Sequence, residues 1–482
     1  MSFVSDLDLC YLPGHQALRL FENGELSPVD VLEAQIKRAE AVNPVINAIT
    51  DSYYDEALDQ ARAAERLYAG KSKNPRPLEG LTLSVKDHQD LIGKRTTQAS
   101  LPYQDTIATR NSAANERLLA AGAIVVAKTT TPEFCSAGVT YSKLFGITGT
   151  PWDPDFTAGG SSGGSGASLG AGMTTLATGS DIAGSIRVPA ACCGVVGYKP
   201  PYGRIPAASP GNLDFFSQTG PLARTVGDCA LMMNVMAGYH PEDIATLREE
   251  INLPLNYENI SGWSIAYSTD LGFSTIAPEV LENFMNTVSM LRDLGATVEE
   301  VKLSWTSRVT DVAASYLDHL FGRELARAYQ EHGEQLCDYN IFYAKRAENT
   351  DADALLRAYQ TTNDMYRELA PILDRHDAFI CPTLASHEVK ADAKPWETIN
   401  INGKDIITDF DWVLTHPFNM LSRLPVLAIP NGMGGNGLPT SIQIVARSFD
   451  DHRVFQLASA LEKAAPWLDC DDRRPMTGEE WR

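Results

Sequence analysis

No uninterrupted apolar stretch in the sequence approaches the ~18 residues that a membrane-spanning helix needs, so no membrane span is expected. Basic runs are absent too, and 61 acidic against 40 basic residues leave a formal net charge of −21. Nucleic acid and anionic membrane surfaces are therefore not expected as partners, because phosphate binding needs clustered Lys and Arg. The eight cysteines include no C-x-x-C pair and the nine histidines no H-x-x-x-H pattern, so no metal is expected. Met1 to Leu20 carries Asp6 and Asp8 and lacks a basic segment followed by an apolar core, so no secretory signal is expected. What remains is an ordinary globular composition, 44% hydrophobic and 21% charged over 482 residues, enough for a large core. Cysteines scattered from Cys10 to Cys470 read as reduced, mostly buried thiols of a cytoplasmic protein.

The organisation reads as a single domain over 1–482, with no internal repeat. Residues 1–75 are expected to be helical. Ser27-Pro28-Val29-Asp30 carries an N-cap, a first-position proline and an acidic first turn. Leu81 to Val85 reads as a buried strand with Lys86 at its end. A helix over Asn111 to Ala121, then Gly122, then the apolar run Ala123 to Ala127 has an α/β rhythm. That rhythm returns at Ser264–Tyr267, Val280–Leu294 and Ala296–Val301, and further strands are expected at Ala378–Cys381, Val426–Pro430 and Ser441–Ala446. Gly149 to Ser168 reads as a loop, Ala167 to Leu176 as a small-residue helix, and Thr178 to Ser185 as a turn. Residues 305–375 are helical and more polar, the best candidate for a cap. Most of its aromatics, such as Tyr316, Phe321 and Tyr343, are expected in the core, with one or two reaching a substrate.

Chemistry concentrates in the run Gly159-Gly160-Ser161-Ser162-Gly163-Gly164-Ser165-Gly166 and in Asp181-Ile182-Ala183-Gly184-Ser185-Ile186-Arg187. Two serines, Ser161 and Ser185, stand 24 residues apart beside glycines, with Lys86 upstream. A nucleophile needs a base, and acyl transfer needs backbone N–H donors for the oxyanion. These segments can supply all three. The run satisfies G-x-S-x-G, but Pro151 to Asp155 before it cannot form the buried strand that a nucleophile elbow requires. Nor does it hold a dinucleotide loop or a P-loop, and no cofactor is expected. His88 lacks an acid partner at a recognisable spacing. Asp181 and Arg187 read as an ion pair holding a turn.

Together with Val85-Lys86-Asp87, Lys128-Thr129, Pro132-Glu133 and Cys193 to Pro200, these segments resemble the amidase signature family. A looser match over Leu424-Pro425, Gly437 to Pro439 and Gln443-Ile444-Val445 extends the resemblance over most of the chain. The resemblance implies an α/β fold, a central mixed twisted sheet covered by helices on both faces. It also implies a Ser–Ser–Lys triad, with Ser185 as nucleophile, Ser161 as the bridging serine after a cis Gly160–Ser161 bond, and Lys86 as base. The implied oxyanion hole is the N–H groups of Ile182, Ala183, Gly184 and Ser185. Many members carry glycine where this chain has Ala183, which tolerates the turn if its φ is negative.

A lysine near its ordinary pKa of ~10.4 is already protonated, and burial lowers that value. Leu83 and Val85 suggest an apolar setting, while Asp87 would oppose the shift. By family alignment Cys135 and Ser136, with Gly160, line the acyl pocket, Tyr141 and Phe145 shaping the same wall. The alternative for Cys135 and Ser136 is a buried thiol beside a turn serine. Ser162 reads either as a hydrogen-bonding support or as a loop serine.

The chain looks closer to stand-alone bacterial amidases, including those acting on nylon oligomers and related synthetic amides. The shared features are Lys128 to Glu133, Ser185 to Ala190, and Ala465-Pro466-Trp467 before Arg473-Arg474-Pro475. The expected partner is a small-molecule amide or carbamate (urethane), with ester cleavage open to the same machinery, in a monomer or homodimer. Two alternatives stand beside this. One is the glutamine-hydrolysing component of a tRNA-dependent amidotransferase, its glutaminase A chain, whose Arg-Arg-Ile-Met-Leu-Gly-Thr-like stretch is not found between 330 and 365. The other is a catalytically silent binding or scaffold member.

Overall fold

The apolar runs of this sequence alternate between two cores. In Ala378-Phe379-Ile380-Cys381, Phe379 and Cys381 join one buried cluster while Ala378 and Ile380 join another. Val426 and Ala428 divide from Leu427 and Ile429 in the same way. Successive strand side chains point to opposite faces, so an unbroken apolar run means a sheet covered on both sides. In the computed structural model, which describes residues 5–70, 74–207, 211–468 and 473–475, that sheet has eleven strands. They are β1 (Ile49–Ser52), β2 (Thr82–Lys86), β3 (Ile124–Thr129), β4 (Leu176–Asp181), β5 (Val196–Lys199) and β6 (Gln218–Ala223), then β7 (Ser264–Tyr267), β8 (Thr297–Glu300), β9 (Ala378–Pro382), β10 (Val426–Met433) and β11 (Pro439–Val445). Their spatial order is β1-β3-β2-β4-β6-β5-β10-β11-β9-β7-β8. The sheet is mixed: β2 runs parallel to β3 and β4, β7 parallel to β8 and β9, and the central pairs are antiparallel.

Helices Gly163–Gly170, Arg187–Cys193, Arg308–His332 and Asp353–Arg375 contribute to the first core. Helices Val226–Met236, Pro278–Asp293 and Asp451–Ala464 pack into the second. The N-terminal helix Pro28–Ile46 has the cap its sequence implies: Ser27 accepts from Val29 N, and the Asp30 carboxylate accepts from Ser27 N at 3.2 Å.

Several expectations need correcting. Residues 5–70 are not all helix, since β1 interrupts them and pairs antiparallel with β3. The Gly/Ser run is not a surface loop: a fully buried helix starts at Gly163, four residues before the expected one, and ends at Gly170. Its glycines serve space. A Cβ on Gly163 would collide with the Thr140 hydroxyl, and one on Gly164 with the Thr130 backbone. β4 then extends to Asp181, shortening the expected turn to residues 182–185. Strand β6 and helix Val226–Met236 were not expected from the sequence pattern. Cys470 and residues 71–73 lie outside the described residues. No helix among the described residues is long and apolar enough to cross a membrane.

Candidate active site

Parallel pairing places the carboxyl ends of β2, β3 and β4 on one edge of the sheet, where open α/β sheets hold their ligands. Lys86 is the last residue of β2 and Asp181 the last of β4. Ser161 precedes the helix Gly163–Gly170, and Ser185 sits in the turn after β4. The two serine segments meet through the backbone, Ser162 N donating to Ser185 O at 3.2 Å. The Gly160–Ser161 peptide is cis.

Lys86 is fully buried, and its Nζ donates to Ser161 Oγ at 2.7 Å and to Ser180 Oγ at 3.0 Å. Burial holds this amine below the ordinary lysine range, although Cys135 and Asp181 pull the other way. Asp87, the expected opponent, turns aside: its carboxylate accepts from Thr97 Oγ1 and Ala99 N, each at 3.0 Å. Ser180 was missed, because nothing in its sequence context separates it from a strand serine. His88 is half-buried; desolvation and the neighbouring Lys86 push its imidazole well below the usual range.

Asp181 and Arg187 form the expected ion pair, wholly buried and bidentate, at 2.9 Å from Nε to Oδ2 and 3.0 Å from Nη2 to Oδ1. Burial alone would raise the Asp181 carboxyl; Arg187 and Asn419 outweigh it and hold it below the ordinary carboxylate range. Arg187 also donates to Gln443 Oε1 at 2.7 Å and Thr415 O at 3.0 Å, which gives the C-terminal motif its structural purpose. One expected oxyanion donor is corrected here. Gly184 N donates to Asp181 Oδ1 at 2.8 Å, so its N–H is already engaged. The N–H groups of Ile182, Ala183 and Ser185 have no acceptor among the described residues. The left-handed backbone falls on Gly184 (φ +127°), not Ala183, and a Cβ there would collide with the Thr415 hydroxyl.

A cavity opens onto Ser185, with Gly160, Ile182, Ala183, Cys135 and Ser136 on its wall. Lys86, Ser161, Ser162, Asp181 and Arg187 lie behind that wall. Cys135 Sγ is 3.1 Å from Thr131 Oγ1, and Ser136 Oγ donates to Asn340 Oδ1 at 2.5 Å. Tyr141 and Phe145 do not line the cavity; the Tyr141 ring packs edge-on against Tyr339 instead. The Ser162 hydroxyl is buried with no hydrogen-bond partner among the described residues, and its contact with Ser185 is made by the main chain.

The far wall comes from helices Arg308–His332 and Asp338–Ala347 and from residues 409–413. Phe321 and Tyr343 are the aromatics of 305–375 that reach it. Asp318, Arg346 and Asp409 also reach it and were missed. Arg346 grips Asp318 through two bonds of 2.7 and 2.8 Å and Asp409 through one of 2.7 Å. Charge on a polar helical segment was the available signal, but polarity alone points as readily to solvent. No group of three or more His, Cys, Asp or Glu among the described residues could hold a metal ion.

The chain matches the Amidase family over residues 30–455. It is 33% identical to the acylamidase of Rhodococcus erythropolis, over 97% of this chain and 98% of the relative. It is 32% identical to the A component of the glutamyl-tRNA(Gln) amidotransferase of Thermosynechococcus vestitus, over 92% and 96%. Among solved structures, a bacterial aryl acylamidase of the amidase signature family superposes with a TM-score of 0.86 at 26% identity, over 95% of this chain and 97% of that one.

Proposed function

The chain belongs to the amidase family and is an amide-hydrolysing enzyme, and from that premise we propose that it cleaves small-molecule amides through an acyl-enzyme on Ser185. The observation that carries this reading is the buried amine of Lys86, 2.7 Å from Ser161 Oγ, behind the cavity that Ser185 lines. With the amine neutral, Lys86 accepts a proton from Ser161, which takes one from Ser185 as Ser185 Oγ attacks the carbonyl carbon. Ile182, Ala183 and Ser185 N–H groups face the developing oxyanion. Lys86 returns the proton to the leaving amine, and water then releases the acyl group by the same route. Carbamates and esters pass through the same tetrahedral oxyanion and are further candidates. The helices over 305–375 act as a cap on the acyl pocket. Free thiols at all seven described cysteines favour a cytoplasmic setting.

The glutaminase alternative needs a cation free to hold a substrate carboxylate. Arg346, the arginine that reaches the cavity from 330–365, is committed to two carboxylates, which favours the stand-alone amidase reading. A p-nitroanilide and carbamate panel, with glutamine included, tests the reaction. A fluorophosphonate should label Ser185, and Ser185→Ala should lose both labelling and turnover while its circular dichroism is unchanged. Full turnover in Ser185→Ala would sink the assignment.

A further inference from the structure

The cavity is walled mostly by apolar side chains, Leu317, Phe321 and Val413 among them, yet three charged groups, Asp318, Arg346 and Asp409, also line it from elements other than the one that carries Ser185. Asp318 and Asp409 share one counter-ion, Arg346. The guanidinium spends its Nε and Nη2 on Asp318 and its Nη1 on Asp409, whose other oxygen accepts from Tyr343 Oη at 2.8 Å. Arg346 is the cation acting on both carboxylates. Burial raises both carboxyls above their ordinary range against the pull of Arg346; at a pH where both are ionised, two carboxylates against one guanidinium leave one negative charge uncompensated. It sits where the side chains of Asp318 and Asp409 are only 10% and 13% exposed. A charge so placed is screened far less by salt than one on the open surface.

The acids do not make a site by themselves; they matter because they line the cavity into which Ser185 opens. Resting on the amidase reading above, we propose that this clamp makes the enzyme selective by charge. Its substrates carry a cationic or amino group at the end remote from the scissile amide, and groups ending in a carboxylate are rejected. An ammonium ion there would neutralise the excess charge and donate to carboxylate lone pairs that Arg346 and Tyr343 leave open. A carboxylate would meet like charge, with the guanidinium already spent. The apolar walls between would hold the methylene chain or aromatic ring linking the two ends.

The test compares ω-aminoacyl, plain acyl and ω-carboxyacyl p-nitroanilides in a chain-length series. At the length that spans the cavity, kcat/KM should fall in that order, the ω-amino compound exceeding the ω-carboxy compound by at least about tenfold, as expected for a unit charge in a poorly screened site. Asp409→Asn should shrink that ratio by about tenfold, and Asp318→Asn/Asp409→Asn, which leaves Arg346 unopposed, should invert it. Asp364→Asn, at an exposed position, controls for the overall charge of the chain and should leave the ratio unchanged. A binding arm does not depend on turnover: an alkylammonium ion should slow fluorophosphonate labelling of Ser185 more than the alkanoate of equal length does. Equal turnover of the three compounds, or a ratio unmoved in both Asp variants, overturns the proposal. Failure of every compound to react, together with absent labelling, overturns the amidase reading and this proposal with it.

Discussion

The floor of the cavity and its far wall are built from different materials. The floor, drawn from residues 81–199, packs small side chains without slack around the buried Lys86 and the buried Asp181–Arg187 pair. Ser161, Ser162, Gly163, Gly164 and Ser165 are all buried, and positions 163, 164 and 184 have no room for a Cβ. The wall, helices Arg308–His332 and Asp338–Ala347, is made of long side chains joined by ion pairs and hydrogen bonds. A floor with no steric slack suits chemistry, which needs a nucleophile and donors fixed to fractions of an ångström. A wall joined through side chains can change its residues without moving its helices, which suits selectivity. The two meet at Glu133. Its carboxylate accepts from Ser100 Oγ and Cys337 N, each at 2.6 Å, and from Asn340 Nδ2 at 2.7 Å.

The largest effect should come from the floor. Lys86→Met keeps the volume and apolar burial but removes the base, and kcat should fall by about 10³-fold or more, as when members of other hydrolase triads are removed. Rates on an activated ester and an anilide measure this. A loss below about tenfold would mean that the floor does not hold the base. Next, Arg187→Met strands the Asp181 carboxylate, buried with its turn, and should cost about 3–5 kcal/mol of stability. Urea unfolding measures it. A cost under about 1 kcal/mol would show the turn to be held by its backbone alone.

The junction should respond more mildly. Glu133→Gln keeps the shape but sets an NH₂ against one of three donors, so about 1–2 kcal/mol of stability should be lost. The cap should loosen with it, so KM should rise more than kcat falls. An equal fall in kcat with KM unchanged would place Glu133 functionally in the floor rather than at the join.

This contrast also explains what could be read beforehand. The segments of the floor were legible because they are short, contiguous and resemble those of the family: Lys86, Ser161, Ser185 and the Asp181–Arg187 turn, whose ion pair the structure shows. Strands such as Ala378–Cys381 were legible because burial on both faces requires unbroken apolar runs. The Gly/Ser helix was misread because glycine signals flexibility in isolation, while here it answers crowding from Thr130 and Thr140, which are distant in sequence. Asp318, Arg346 and Asp409 were not legible, since they come together only in the fold, across 63 residues between Arg346 and Asp409. Gly184 was misassigned for a related reason: its identity shows a strained turn but not that its N–H faces Asp181.

The smallest effect tests the floor most finely. Ser180 Oγ accepts from Lys86 Nζ at 3.0 Å, and an acceptor favours the ammonium over the neutral amine. Ser180→Ala removes that preference, so the amine, already held low by burial, should fall further. The rate needs the neutral form, so activity rises with pH as Lys86 loses its proton. The rising limb of kcat/KM should therefore lie below the ordinary lysine range and move to lower pH in Ser180→Ala. The sign for stability is the same. A lysine whose folded pKa is depressed binds fewer protons folded than unfolded, so its contribution improves as pH rises from the folded value to the ordinary one, and the variant widens that window downward. A rising limb displaced to higher pH, or not displaced, would mean that Ser180 serves the strand and not the base.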